Sequence, residues 1–216
     1  TAVIWESDDG KSRKVTYGEL GEEVARLASA MKSIGIGKGD RVGLYMPMIP
    51  EMVTAFLATI KIGAVIIPVF SGFGAQALAT RLRDAEAKLL FTADGSLRRG
   101  KEIEIKKSAD EAVKEVPSIR HVVLAKRLGI DVPWSIEKDL EWKEFLGRGV
   151  APVETERTEA EDECLVIYTS GTTGRPKGTV HTHAGCQAQI SKELGYYFDV
   201  KKDDRFFWVT DIGWMM

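Results

Sequence analysis

The sequence predicts an α/β fold whose sheet is mostly parallel, and three observations carry that prediction. Short apolar runs of strand length recur at 41–46, 64–69, 88–92 and 121–124. Between and before them lie segments with apolar residues at helical spacing, at 18–34, 51–62, 75–86 and 103–115. Regular alternation of this kind places each helix as a crossover between parallel strands. The third observation is a stretch rich in glycine and hydroxyls, Tyr168 to Gly178, set between two further runs of strand type.

In chain order, Val15-Thr16-Tyr17 reads as extended, and the helix after it brings Leu20, Val24, Leu27, Ala28 and Met31 to one face. The turn Gly35-Ile36-Gly37-Lys38-Gly39-Asp40 stops it. Arg41 to Met46 is a short strand, and Glu51 to Ile62 is a helix with Met52, Phe56 and Ile60 on one side and Gly63 as its C-terminal stop. Ala64 to Val69 is an apolar strand, Ala75 to Glu86 a helix and Lys88 to Thr92 a strand. A helix from Ile103 to Glu115 leads into the strand His121 to Leu124. From Lys126 to Glu163 the pattern is irregular, with Pro133, Pro152 and an acidic run, so this stretch is expected to wrap the surface. Leu165 to Tyr168 and Thr179 to His181 are the strands that flank the glycine-rich loop. Ala184 to Tyr197 is helix-like, Arg205 to Val209 strand-like, and Asp211 stands where it would cap a helix. The apolar ending Gly213-Trp214-Met215-Met216 lacks an element to pack against, so the chain reads as a fragment.

Composition narrows the function. In 216 residues, 30 basic and 32 acidic side chains give a formal charge of −2, with no global field to favour nucleic acid or an anionic membrane. Small-molecule partners fit better. The longest apolar run, Gly63 to Phe70, is far shorter than the ~20 residues that span a bilayer, so no membrane segment is expected. Cys164 and Cys186 are the two cysteines, 22 positions apart and without Cys-x-x-Cys spacing. With no signal-peptide pattern at the N-terminus, they point to a reducing cytoplasm. His181 and His183 would share one face of a strand, but two ligands without a cysteine or carboxylate partner make no metal site.

The loop is the stretch hardest to explain by packing. Gly171, Gly174 and Gly178 let the backbone turn tightly, and successive N–H groups in such a turn make an anion-attracting concavity. Thr169, Ser170, Thr172 and Thr173 add hydroxyl donors, and Lys177 adds a point charge. A plain hairpin connection is shorter and rarely carries four hydroxyls and a lysine. The spacing differs from the P-loop pattern G-x-x-x-x-G-K-[ST], because Gly178 follows the lysine. A rival pattern lies upstream: Gly72-Phe73-Gly74-Ala75-Gln76-Ala77 after an apolar strand, with Asp94 about 20 residues on, fits a dinucleotide fingerprint. An oxidoreductase built on it would leave the hydroxyl-rich loop without a purpose.

YTSGTTGRPKG resembles the phosphate-loop signature of the adenylate-forming superfamily. Its flanks resemble the acetyl-CoA synthetase-like acyl-CoA synthetase branch, through Val3-Ile4-Trp5-Glu6, the run from Tyr45 to Glu51, Phe70-Ser71-Gly72-Phe73-Gly74, Val180-His181-Thr182-His183 and the run from Phe207 to Trp214. The resemblance implies that residues 1–216 are the N-terminal portion of the AMP-binding domain, with the mobile C-terminal domain and its catalytic lysine beyond the chain. It implies ATP, Mg²⁺ and CoA as cofactors, with the β- and γ-phosphates of ATP on Thr169, Ser170, Gly171, Thr172, Thr173, Gly174 and Lys177. It assigns CoA contacts to Gly72, Arg98 and Lys101, and a wall of the acyl pocket to Trp214 and Met215. A solvated basic turn for Arg98 to Lys101, a core role for Trp214 and a helix cap for Asp211 are the plainer alternatives. The implied reaction joins a short- to medium-chain acid, with acetate or propionate favoured, to CoA, and the 216 residues alone are expected to be inactive. A non-catalytic ATP- or CoA-binding module and an NAD-dependent oxidoreductase stand as the alternative functions.

Overall fold

The computed structural model describes residues 1–98, 100–150, 153–169 and 176–214. The chain opens with an antiparallel hairpin of β1 (Val3–Glu6) and β2 (Ser12–Val15). Thr16 then starts α1 (Tyr17–Ser33) with a reciprocal cap, its hydroxyl accepting from the Glu19 N–H while the Glu19 carboxylate accepts from the Thr16 N–H. There follow β3 (Arg41–Tyr45), α2 (Pro50–Lys61), β4 (Val65–Pro68), α3 (Ala75–Asp84) and β5 (Leu89–Ala93). A small hairpin, β6 (Ser96–Arg98) with β7 (Lys101–Ile103), precedes α4 (Ile105–Lys114) and β8 (His121–Ala125). The chain continues through β9 (Asp139–Glu141), α5 (Trp142–Gly147), β10 (Glu163–Thr169), β11 (Lys177–Thr182) and α6 (His183–Lys192), and a π-helical turn spans Glu193–Tyr197.

Seven strands form the main sheet in the order β11-β10-β4-β3-β5-β8-β9, parallel throughout except for the antiparallel pair β10 and β11. Period-two alternation divides its side chains between two cores. Val42, Leu44, Ile66, Phe91 and Val123 face α1, α2 and α5, while Val65, Ile67, Leu90 and Val122 face α3 and α4. Strands buried on both faces explain why these runs read as continuously apolar. Each fully buried aliphatic side chain among them contributes roughly 1.5–3 kcal/mol of transfer free energy.

The connection after β3 crosses on the α2 face and the connection after β4 crosses on the α3 face. Neighbouring strands whose helices leave to opposite sides open a crevice at their carboxyl ends, the usual place for a ligand in such sheets.

Three expectations change. The stretch from Lys126 to Glu163 is not all surface wrapping, since β9 joins the sheet beside β8 and α5 buries Trp142 and Phe145 against α1 and Phe91. Arg205 to Val209 is not a strand, because no neighbour pairs with it among the described residues and Phe207 and Val209 are exposed. His181 and His183 do not share a strand face, because β11 ends at Thr182 and His183 opens α6.

Candidate functional site

A cavity of about 230 Å³ occupies the crevice at the carboxyl ends of β3 and β4. Met48 lines it from the loop after β3, Phe70 and Gly72 from the loop after β4, Arg98 from the β6–β7 hairpin, and Asp211 and Trp214 from the last segment. The N-terminal hairpin supports it from outside, where the Trp5 indole N–H donates to the Met48 carbonyl at 2.8 Å.

Three residues assigned from sequence meet here. Arg98 lies over the Phe70 ring with its guanidinium carbon 5.1 Å from the centroid, and Trp214 packs on the same ring at 5.1 Å between centroids. Gly72 leaves room for that arrangement, since a methyl group there would sit 2.5 Å from Arg98 Nη1 and 2.6 Å from the Phe70 ring edge. Lys101 does not line the cavity. It pairs with Arg98 across the small hairpin and is exposed.

Asp211 is tied in more closely than a helix cap requires. Its Oδ1 accepts from the Gly213 N–H at 2.9 Å, while Oδ2 accepts from the Ser71 hydroxyl, 140 residues earlier, at 3.1 Å. Burial pushes its carboxyl above the ordinary aspartate range, against the opposing pull of those hydrogen bonds and of Arg98. Gly213 is held against the end of β4 so tightly that a Cβ would collide with the backbone of Val69 and Phe70. Residues 211–214 are thus fastened to the loop after β4, with a turn from the Trp214 N–H to the Asp211 carbonyl at 3.0 Å. Sequence reasoning missed Ser71 and Phe70 as partners; the signal available was the Asp-x-Gly-Trp spacing, which gives no hint of a contact so far back in the chain.

The glycine-rich loop leaves the same sheet edge. β10 runs parallel to β4, so its carboxyl end and that of β4 lie on one side of the sheet. Thr169 and Lys177 are the last registered pair of β10 and β11 and stand opposite each other at the base of the loop. Below them the Tyr168 hydroxyl donates to Asp84 Oδ2 at 2.6 Å and the ring is buried, anchoring the strand to α3. Ser170, Gly171, Thr172, Thr173, Gly174 and Met215 lie outside the described residues.

Two further features take no part. Asp94 is 1% exposed, and its carboxylate accepts backbone N–H bonds from Gly95, Arg127, Leu128, Gly129 and Ile130. It holds the loop after β8 and has no free face for a ribose, which removes the acidic residue from the dinucleotide pattern. A larger groove of about 450 Å³ beside α4 and β9 contains none of the residues assigned from sequence. At its edge the buried Lys106 pairs with Asp110 and Asp139. Among the described residues no three His, Cys, Asp or Glu side chains converge as a metal site, and no helix is long and apolar enough to cross a membrane.

Known proteins resemble this chain over nearly its whole length. It is 44% identical over 216 residues to the acetyl-coenzyme A synthetase of Mycolicibacterium smegmatis, covering 99% of the chain and 23% of that protein. It is 44% identical over 215 residues to the acetyl-coenzyme A synthetase of Penicillium chrysogenum, covering 99% and 32% respectively. The solved acetoacetyl-CoA synthetase from Streptomyces lividans superposes with a TM-score of 0.90 at 34% identity, over 98% of this chain and 32% of that one. The chain therefore spans a quarter to a third of these relatives. The family described as AMP-binding enzyme matches from residue 1 to residue 216, and the chain belongs to that family.

Proposed function

We propose that residues 1–216 are the N-terminal portion of the adenylating domain of an AMP-forming acyl-CoA synthetase acting on a short- to medium-chain carboxylic acid, with acetate or propionate favoured. The observation that carries this is the placement, at the carboxyl ends of the neighbouring strands β10 and β4, of the two elements that the sequence assigns to anion binding. The hydroxyl-rich loop leaves β10, and the Gly72–Arg98 patch sits at the neighbouring end of β4. The acetyl-coenzyme A synthetase relatives support the choice of acid.

In this reading the loop from Thr169 to Lys177 binds the β- and γ-phosphates of ATP through backbone N–H groups, hydroxyls and the lysine charge. The acid's carboxylate attacks the α-phosphorus in line, an acyl–AMP bond forms, and pyrophosphate leaves. The CoA thiol then attacks the acyl carbon, forming the thioester and releasing AMP. Arg98 grips a phosphate of CoA, with its planar fork suited to two parallel hydrogen bonds. Phe70 holds the guanidinium from below, and Gly72 lets the ligand and Arg98 approach the backbone. Trp214, seated by the Asp211–Ser71 bond, borders the acyl group. Mg²⁺ would enter with the ATP phosphates and screen their charge; the described residues offer it no ligand set of their own.

Carboxylate-dependent exchange of labelled pyrophosphate into ATP tests the adenylation step. The longest encoded form of the protein should exchange, with acetate or propionate ahead of octanoate, while the 216-residue chain alone should not. A folded long form that exchanges with no acid from acetate to octanoate would overturn the reading.

A further inference from the structure

We propose that Cys164 and Cys186 form an oxidisable dithiol site, which reacts with small-molecule disulfides through Cys186 and closes an internal disulfide between β10 and α6. This goes beyond the proposed reaction and stands on different residues. The two cysteines are 22 positions apart, yet their Sγ atoms lie 3.3 Å from each other.

Several local features build that proximity. The pairing of β10 with β11 slips between Glu163 and Leu165, which leaves Cys164 as the extra residue of a bulge. Bulges re-aim a side chain, and here the Cys164 thiol points back over the hairpin to within 3.3 Å of the His181 carbonyl. From the other side, Thr182 caps α6 by accepting from the Gly185 N–H at 3.2 Å. The first turn of α6 is also pinned to the residues just before β10, with the His183 N–H donating to the Asp162 carbonyl at 3.0 Å and the Ala184 N–H to the Ala160 carbonyl at 3.1 Å. Cys186 is therefore held over the bulge by backbone hydrogen bonds. Converting a 3.3 Å contact to a bond of ~2.05 Å asks for an approach of about 1.2 Å.

The two thiols have different roles. Cys164 is 2% exposed, and its ionisation is pushed up to about 12 by burial and by the neighbouring sulfur. It keeps its proton, which has the His181 carbonyl and the Cys186 sulfur as acceptors, each at 3.3 Å. Cys186 is only half-buried, so it is the thiol that a small disulfide can reach. Cys186 thus attacks one sulfur of the small disulfide. That S–S bond breaks, one thiolate leaves, and Cys186 holds the other half as a mixed disulfide. Cys164 then gives its proton to solvent and attacks the Cys186 sulfur, displacing the second thiolate. The two protein thiols lose two electrons and two protons, and the small disulfide becomes two thiols.

The test is incubation of the longest encoded form of the protein, under native conditions, with oxidised glutathione, followed by acid quench, alkylation and mass analysis of the peptides that hold Cys164 and Cys186. The expected product has lost two hydrogens, resists alkylation at both cysteines and yields a Cys164–Cys186 linked peptide. In its time course the mixed disulfide on Cys186 comes first. Cys164→Ser should trap glutathione on Cys186, and Cys186→Ser should take it up on Cys164 at least ten-fold more slowly. Stable separate adducts on the two cysteines, linkage only after denaturation, or a first adduct on Cys164 in the unsubstituted chain would each overturn the proposal. The time course needs no variant to fold.

Discussion

Replacing Gly72 with alanine tests whether this glycine acts by making room for Arg98. The added methyl would sit 2.5 Å from Arg98 Nη1 and 2.6–2.7 Å from the Phe70 ring edge. Comfortable carbon contacts begin near ~3.5 Å, so the guanidinium must withdraw by about 1 Å. Both colliding groups are side chains, so the backbone can hold its place while the exposed Arg98 swings away and the Phe70 ring, packed against Phe73 and Trp214, gives by a smaller amount. The position of the charge does not survive the change. A hydrogen bond to a charged group is worth roughly 1.5–3 kcal/mol, and its geometry fails well within 1 Å. Gly72→Ala should therefore raise the KM for CoA by about 10- to 150-fold, as should Arg98→Ala.

If both substitutions act on the same guanidinium, their effects do not add. The double variant should be no worse than Arg98→Ala alone, a coupling of roughly 1.5–3 kcal/mol in a double-mutant cycle. The assay is thioester formation by the longest encoded form with CoA varied. Pyrophosphate exchange, which needs no CoA, serves as the control for an intact adenylation site. Multiplication of the two losses in the double variant, or a parallel collapse of exchange, would refute the reasoning.

Replacing Thr172, Thr173 and Lys177 together should weaken ATP binding several-fold or more, read by calorimetry, with an unchanged circular dichroism spectrum. Gly213→Ala should dislodge the last segment, because its Cβ meets backbone of Val69 and Phe70 rather than a mobile side chain; the check is increased proteolysis near Trp214. Asp211 carries a sign that can be measured. Burial raises its folded carboxyl above 3.8, so the folded state binds more protons than the unfolded one just above that pH, and stability falls as pH rises through the window. Asp211→Asn lacks that slope, so wild type should lose ground to the variant in urea midpoints as the pH rises above 3.8. Replacing Asp110 and Asp139 together with alanine should strand the Lys106 ammonium, whose side chain is 1% exposed and which pairs with both carboxylates. The cost of about 3–5 kcal/mol should lower Tm by roughly 6–20 °C in a thermal scan.

The parallel block was legible because burial on both faces leaves little ambiguity in runs such as Val65–Pro68 and Leu89–Ala93. β9 and α5 escaped notice because three and six residues are too few to display a period, and the proline and charges around them look like loop. Arg205 to Val209 shows the converse error. Its aromatic residues have strand propensity, but a strand exists only where a neighbour accepts its hydrogen bonds. At the site, the resemblance pointed to Gly72, Arg98 and Trp214, which meet at one cavity, and to Lys101, which does not. The Asp211–Ser71 bond and the Cys164–Cys186 contact were illegible because a bulge and a strand-end turn create them, and neither leaves a fixed spacing in sequence.

The end of β4 also bears on how the two elements proposed to bind ligands can share one sheet edge. The Val69 N–H donates to the Leu44 carbonyl at 2.9 Å, toward β3. Because donors alternate sides along a strand, the residue before it faces β10, and that residue is Pro68, which has no N–H to give. β10 accordingly registers with β4 at a single pair, Leu165 with Ile66, and the ladder is not extended toward the carboxyl ends. Proline inside a central strand is ordinarily excluded. Placed at the last residue, it stops the pairing of β4 with β10 short of their carboxyl ends. A β4 with an N–H at that position could extend the ladder by one more pair toward the carboxyl ends.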